Sequence, residues 1–262
     1  MYNFDIARPN SVAEAVTALG QDEAQPLGGG QTLIPTLKAR LAAPSVLVSL
    51  TGIAEMRGCS ASDGILTVGG GTPHVEVARA AALDYPALAS LAGRIGDPAV
   101  RNRGTIGGSV ANNDPSACYP AAVLGSGATV VTDRREIAAD DYFQGMFDTA
   151  LDEGEIVTAV RFPIPQTAAY EKMLQPASRF ALVAAFVAKY AGGVRVAITG
   201  ASERGVFRWT EAEQALSANF SADALAGLTL SENGMISDLH GTGAYRAHLC
   251  GVMTKRAVMS MG

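Results

Sequence analysis

The sequence predicts an α+β fold in which two small subdomains, at residues 1–56 and 57–164, precede a C-terminal α/β domain at residues 165–262. In the first two segments, short apolar strands alternate with amphipathic helices. A proline-containing stretch at 163–167 interrupts this pattern and marks the boundary. After it come two apolar strands joined by the glycine pair at 192–193, a hairpin dipeptide that predicts an antiparallel sheet.

The first subdomain begins with a helix, since Ser11 and Glu14 have the spacing of a capping box and Gly20 follows as a terminator. The other elements expected here are a strand at 24–27, a short helix carrying Leu33, Leu37 and Leu41, and a buried strand at 46–48. A glycine-rich loop lies between the first strand and the second helix. Its backbone N–H groups are therefore expected near a helix N-terminus, where they can bind a phosphate.

The second subdomain carries a glycine run after its first strand. The strand at 65–68 ends at Gly69-Gly70-Gly71, and Thr72 and Pro73 are expected as the N-cap and the first residue of a helix. The GxGxxG fingerprint of dinucleotide-binding folds is not met, because His74 occupies the position of its third glycine. We therefore predict a plain strand–turn–helix here. The remaining elements are a helix at 86–95 and strands at 128–131 and 156–162.

The C-terminal domain is predicted to contain strands at 180–190 and 194–198 and helices at 210–216 and 245–259. Apolar residues recur at helical spacing along the last helix, and we expect them to face a core: Leu249, Val252, Met253 and Val258.

Composition excludes several classes of protein. The net charge of −5 argues against a nucleic-acid surface, and the longest apolar run, at 180–188, is too short to span a bilayer. The N-terminus lacks the features of a secretion signal, so we expect a cytoplasmic protein. The three cysteines and three histidines are dispersed without a CxxC pair. An iron–sulfur or structural zinc site built from this chain alone is thereby excluded.

Two glycine-rich loops are the most informative features of the chain. They are Leu27-Gly28-Gly29-Gly30-Gln31-Thr32, followed by Leu33, and Thr105-Ile106-Gly107-Gly108-Ser109. Glycine permits φ > 0 and leaves no Cβ in the way, so successive N–H groups can converge on an anion. Two such loops can hold a pyrophosphate from both sides. The alternative is that each is an ordinary tight turn.

Several segments match a known family in order and spacing. They are the start RP.S..EA (Arg8 to Ala15), GGGQTLIP at 28–35, IGDPAVRNRGTIGGSVANNDP at 95–115, EIVTAVRFP at 155–163, and Tyr170-Glu171-Lys172 leading to Phe180-Ala181. Together they resemble the FAD-binding medium subunits of the molybdenum hydroxylases, the family of xanthine dehydrogenase, aldehyde oxidoreductase and carbon monoxide dehydrogenase. The resemblance implies a two-subdomain FAD-binding module of the two-loop, PCMH-type flavoprotein kind.

The resemblance also implies a set of site residues. The pyrophosphate would lie on the two glycine loops, with Thr32 and Thr105 as hydroxyl donors. Further contacts would come from the apolar residues Ile95 and Ile156, and Asp114 would bond a flavin hydroxyl. No residue is assigned a catalytic role of its own. Two would tune the flavin: Lys172, whose cation would favour the anionic reduced form, and Phe180, which would lie against one flavin face.

Each of these assignments has a structural alternative. The alternative for Lys172 is an exposed surface lysine, and that for Phe180 is a core aromatic. Arg101 and Arg103 would neutralise phosphate, brace the loop or contact a partner subunit. Asp114 is explained most simply as the start of an Asp-Pro turn.

Family membership would further imply partners: a large subunit with the molybdenum cofactor and a small subunit with two 2Fe–2S clusters, assembled as a dimer of heterotrimers. Electrons would pass from the clusters to the flavin and on to an external acceptor. Gln31 stands where relatives often carry histidine, so noncovalent FAD is expected. Cys118 occupies a position that is often acidic in relatives.

Two other functions remain open at this stage. The chain could be a free-standing flavoprotein oxidase with its own substrate pocket, although its C-terminal region is small for a substrate domain. It could also be a non-catalytic nucleotide-binding scaffold. A spectrum of the purified chain would separate the scaffold from the flavoproteins, and co-purifying iron and molybdenum would separate the subunit from the oxidase.

Overall fold

The computed structural model describes residues 1–261 and has mixed helices and sheets, as the sequence predicts. The N-terminal segment forms a three-stranded parallel sheet in the order β1-β3-β2. Its elements are β1 Asp5–Ala7, α1 Val12–Leu19, β2 Ala24–Leu27, α2 Leu33–Lys38 and β3 Val46–Ser49.

Local signals place most of these elements correctly. Ser11 Oγ accepts a hydrogen bond from the N–H of Glu14, so it caps α1 as predicted. The Glu14 carboxylate reaches back to the N–H of Asn10, one residue earlier than in a standard capping box. The prediction for Leu41 was wrong. Because α2 ends at Lys38, Leu41 lies beyond the helix and its side chain is 79% exposed.

The middle segment forms a five-stranded antiparallel sheet and most of the helices that surround the main core. Its elements are β4 Cys59–Ser62, β5 Ile65–Gly69, α3 His74–Ala80, α4 Pro86–Gly93, α5 Pro98–Arg103, α6 Ile106–Asn112, α7 Tyr119–Gly125, β6 Thr129–Thr132, β7 Glu136–Ala138, α8 Ala139–Tyr142, β8 Phe143–Gly145, β9 Asp148–Thr149 and β10 Val157–Pro163. The strand order is β4-β5-β10-β6-β7, and β8 and β9 form a separate hairpin.

Two helix starts in this segment differ from the prediction. Thr72 does not cap α3, which begins at His74 with Pro73 as its N-cap. The Thr72 hydroxyl is buried and instead bonds both backbone groups of Gly58. The second glycine segment is a helix start rather than a loop, because the Thr105 hydroxyl accepts the N–H of Gly108 and caps α6.

The C-terminal segment confirms the predicted antiparallel sheet, whose order is β11-β12-β13-β14. Its elements are β11 Thr167–Leu174, β12 Ala181–Tyr190, β13 Gly193–Ser202, β14 Gly205–Arg208, α9 Thr210–Ala218 and α10 Gly243–Met259. One face of this sheet packs on α9 and α10, and the other packs against α4 and α7. Burial of both faces explains why β12 is apolar almost throughout instead of alternating. No helix within residues 1–261 is long and apolar enough to cross a membrane.

Candidate cofactor-binding site

A cleft of about 920 Å³ lies between the N-terminal and middle segments, with one turn of the C-terminal segment on its rim. This size is at the upper end of the range for small-molecule and cofactor sites. Its lining includes residues from both glycine segments and from five other stretches of chain: 70–71, 95–96, 114–118, 155–157 and 178–180. We call this the glycine cleft.

The two glycine segments touch each other directly at the floor of the cleft. A Cβ on Gly29 would lie 2.0 Å from the carbonyl oxygen of Arg103 and 2.5 Å from the Cα of Gly104. A Cβ on Gly28 would lie 2.9 Å from the hydroxyl of Thr105. In the first loop only Gly30 has a positive φ, of 71°. Close approach of two backbones, more than positive φ, is therefore what requires glycine here.

The glycine run at 69–71, predicted to be a plain turn, supports the second glycine segment. The N–H of Gly107 donates to the carbonyl of Gly70 at 2.8 Å, and a Cβ on Gly107 would lie 2.6 Å from that oxygen. Gly70 and Gly71 also line the glycine cleft. The signal that could have revealed them was the run of three glycines itself, which is more than a simple turn needs.

The supply of free N–H groups differs between the two segments. At the start of α6, the N–H groups of Ile106, Gly107 and Gly108 are all engaged, by Thr72, Gly70 and Thr105 respectively. Within the described chain, residues 28–32 donate no backbone hydrogen bond. The first loop therefore offers the free donors for an anion, and the second contributes mainly its glycine surface and hydroxyl groups.

Most of the site residues implied by the resemblance line the glycine cleft. They are Leu27, Gly28, Gly29, Gly30, Gln31, Thr32, Leu33, Ile95, Thr105, Gly107, Gly108, Ser109, Asp114, Ile156 and Phe180. Two do not. Ile106 has no exposed surface and packs into the main core, because the first turn of α6 points it away from the cleft. Lys172 lies behind the lining, next to Cys118.

The structure shows contacts that bear on the alternatives for three charged residues. Arg101 braces the preceding loop, since its guanidinium donates to the carbonyls of Ile95 and Gly96 at 3.0 Å each. Asp114 forms the predicted turn by accepting the N–H of Ser116 at 2.8 Å. The alternative of an exposed lysine is wrong for Lys172, whose residue surface is only 5% exposed. Burial lowers its pKa, and the neighbouring Cys118 opposes this effect.

His74 is a residue of the glycine cleft that sequence reasoning treated only as a departure from a fingerprint. It is 4% exposed, packs against the ring of Tyr119, and its Nδ1 has no hydrogen-bond partner within residues 1–261. Burial, reinforced by the charge of Arg101, lowers its pKa to about 4. The imidazole is thus neutral at neutral pH. No periodicity in the sequence signals this, because the neighbours of the ring, Tyr119 and Gly104, are distant along the chain.

Comparison with known proteins agrees with this geometry. Residues 2–165 match a family described as the FAD binding domain in molybdopterin dehydrogenase. The chain is 35% identical to the carbon monoxide dehydrogenase medium chain of Afipia carboxidovorans, over 98% of this chain and 96% of that protein. It is 30% identical to the nicotine 6-hydroxylase medium subunit of Paenarthrobacter nicotinovorans, over 98% and 96%. A crystal structure of a Cu,Mo-CO dehydrogenase contains a chain that is 33% identical, with a TM-score of 0.89 and coverage of 100% and 98%.

The chain belongs to the FAD-binding medium subunits of the molybdenum hydroxylases. The residues of this flavin subunit fit the cofactor. Gly29 packs directly on the backbone of Arg103 and Gly104, Gly107 packs on that of Gly70, and the first loop has unused N–H donors. Apolar residues such as Ile95, Ile156 and Phe180 line other parts of the glycine cleft. Donors for a diphosphate, beside apolar surface for aromatic rings, are the combination that FAD needs.

Glu155, on the lining of the glycine cleft of the flavin subunit, is held as a carboxylate. Its side chain has no exposed surface and accepts bonds from the Arg135 guanidinium, the Thr132 hydroxyl and the N–H of Asp152. Chiefly because of the bonds from Arg135, its pKa is lowered from 4.5 to about 2. A lowered pKa stabilises the folded state above the ordinary value of 4.5. This contribution is lost as the pH falls from there towards 2.

We expect Glu155→Gln to lower the free energy of unfolding by about 1–3 kcal/mol near neutral pH, because charged bonds become neutral ones. The difference in free energy of unfolding between wild type and variant should decrease as the pH is lowered below about 4.5, since protonation removes the same charge from the wild type. Urea unfolding at several pH values measures this, with the exposed Glu153→Gln as control. A difference in free energy of unfolding that is independent of pH would contradict the assignment of Glu155 as a carboxylate.

Proposed function

We propose that this chain is the electron-transfer subunit of a heteromeric molybdenum hydroxylase, and that it passes electrons from 2Fe–2S clusters on a small partner subunit to an external acceptor. The observation that carries the proposal is the glycine cleft in a chain that aligns with medium subunits over almost their whole length. The flavin, when bound, supplies the redox chemistry, accepting electrons and releasing them to the acceptor.

In this proposal the chain's own residues bind and shield the cofactor. The N–H groups of residues 28–32 and the hydroxyls of Thr32, Thr105 and Ser109 hold the diphosphate. Gln31 has no nucleophilic group for attachment to the flavin, so the FAD is noncovalent. Phe180, which is half-buried on the rim, restricts the access of small acceptors to the ring.

The substrate of the complex is bound by a partner rather than by this chain. Two relatives with similar coverage are named for unlike substrates, carbon monoxide and nicotine. A chain that determined the substrate would not be this similar to the medium subunits of enzymes with such different substrates. We therefore assign substrate oxidation to a large molybdenum-cofactor subunit, with the small subunit between it and this chain, in a dimer of heterotrimers.

A free-standing oxidase is the competing function, and one experiment separates the two. The purified single chain should bind about one FAD that acid precipitation releases. It should pass electrons from an artificial donor to a dye but oxidise neither aldehydes nor N-heterocycles. Co-expression with its neighbouring subunits should yield a complex that contains iron and molybdenum. Substrate oxidation by the single chain would support the oxidase, and flavin retained after acid precipitation would contradict noncovalent binding.

A further inference from the structure

The turn at 175–180 joins β11 to β12 and forms part of the rim of the glycine cleft. Ser178 and Arg179 in this turn have φ values of 62° and 60°. Two consecutive non-glycine residues in the left-handed region are unfavourable and persist only where surrounding contacts hold them. The strained backbone of this turn therefore requires stabilising contacts, and Phe180 is the next residue after Arg179.

The stabilising contact is made by Lys172 on β11, the strand that precedes the turn. Its ammonium group donates to the carbonyl of Arg179 at 2.9 Å, to the carbonyl of Arg94 at 2.7 Å, and to Sγ of Cys118 at 3.7 Å. Arg94 is the residue that ends α4, and Cys118 precedes α7. One buried side chain thus connects the strained turn to two helices of the middle segment.

These contacts use all three N–H donors of the ammonium group, so none is left to bond a ligand. Within residues 1–261, Lys172 forms no salt bridge. The nearby carboxylate, Glu171, pairs with the Arg94 guanidinium instead. A buried cation without a counter-ion is costly, and here backbone carbonyls solvate it. Its position fits a structural task better than the role of a direct flavin ligand.

We propose that Lys172 is a latch: by holding the carbonyl of Arg179, it fixes the 175–180 turn and so keeps Phe180 on the rim of the glycine cleft. Lys172 is then a positioning residue, which acts on the cofactor through the turn. The role of Phe180 at a flavin rests on the proposed function, whereas the latch itself is a property of the chain without cofactor.

Trypsin can report directly on the latch, because the bond that it cleaves after Arg179 contains the carbonyl held by Lys172. Arg179 is exposed, as is Arg204 in the turn before β14. In the cofactor-free chain, we expect Lys172→Met to speed cleavage after Arg179 roughly tenfold or more, because a bond from a charged donor is lost. Cleavage after Arg204 in the same digest should not change, so the ratio of the two rates is the readout.

Lys189→Met is the matched control, since it makes the same replacement on β12 at the opposite end of the β11–β12 pair. Its cleavage ratio should equal that of the wild type. If Lys172→Met fails to fold, Lys172→Arg is measured instead. The planar guanidinium cannot donate to all three acceptors that surround the ammonium group, so this ratio should also rise. An unchanged ratio in the folded variant overturns the latch.

FAD titration of the same proteins tests the proposed function separately from the latch. The latch variant should still bind FAD, with less than a tenfold rise in Kd, because Lys172 makes no direct contact. Iodide should quench its flavin fluorescence more strongly than in the wild type. A wild-type chain that binds no FAD would contradict the proposed function while leaving the protease result valid. Complete loss of FAD from a folded Lys172→Met variant would instead assign the lysine as a ligand and overturn the latch.

Discussion

Gly29→Ala is expected to lower the affinity for FAD at least about 100-fold, which corresponds to roughly 2.7 kcal/mol. The new methyl group would lie 2.0 Å from the carbonyl oxygen of Arg103, and both neighbours it meets are backbone atoms. A flexible side chain could move away, but here the two glycine segments must separate. Their separation would destroy the floor of the glycine cleft. Flavin absorbance of the purified chain and a fluorescence titration measure the loss.

Gly107→Ala should have the same effect through a different contact, because its methyl group would meet the carbonyl of Gly70. Gly192→Ala is the matched control, since in that hairpin turn no atom of the described chain lies within 4 Å of the new methyl group. Circular dichroism of all three variants separates a local change from unfolding. Full flavin occupancy in both cleft variants would contradict the proposed binding site.

Arg246→Met is expected to cause the largest loss of stability, about 3–5 kcal/mol. Arg246 is 2% exposed, donates to the carbonyls of Leu182 and Gly200 at 2.7 Å each, and forms a two-bond pair with Asp238 at 2.8 Å. The Gly200 carbonyl belongs to an irregular part of β13, where φ is 83°. Removing the guanidinium leaves two carbonyl oxygens without a donor. The midpoint of urea unfolding reports the change.

Arg256→Met on the same helix is the control for this variant, because Arg256 is exposed and should contribute little. Asp238 adds a dependence on pH. Desolvation alone would raise its pKa, but the bonds from Arg246 and from the N–H of His240 outweigh this and lower it below 3.8. The stabilisation is therefore present above that value and is lost as the pH falls below it. Equal stability of the Arg246 and Arg256 variants would contradict the assigned role.

Local sequence signals were sufficient for elements that depend on neighbours in the chain. The cap at Ser11 and the strand at 24–27 lie where the sequence places them, because capping and apolar patterning act within a few residues. The predicted hairpin is of the same kind, although Gly193 already pairs with Tyr190 and the turn lies at 191–192. The domain boundaries at 56/57 and 164/165 stay predictions, and so do the site residues as FAD contacts, for which the glycine variants are a test.

The local rules failed where a distant partner changes the local preference. Thr72 is a good N-cap by type, yet its hydroxyl bonds the backbone of Gly58, which directly precedes β4. The partner lies 14 residues away, which a short window does not contain. Leu41 is a different case, because α2 ends in a local turn: Arg40 has a φ of 59°, and the N–H of Leu41 donates to the carbonyl of Thr36.

The sequence by itself determined the class of fold, the family and the two glycine segments, because each of these depends on residue types in a fixed order. The tertiary structure alone decided what those residues touch. It decided that Gly29 and Gly107 are needed for close backbone approach, and that Lys172 is buried behind the glycine cleft. The physical reason is that burial and steric contact depend on surfaces brought together from all three segments. Residue type and spacing alone do not determine the distances between those surfaces.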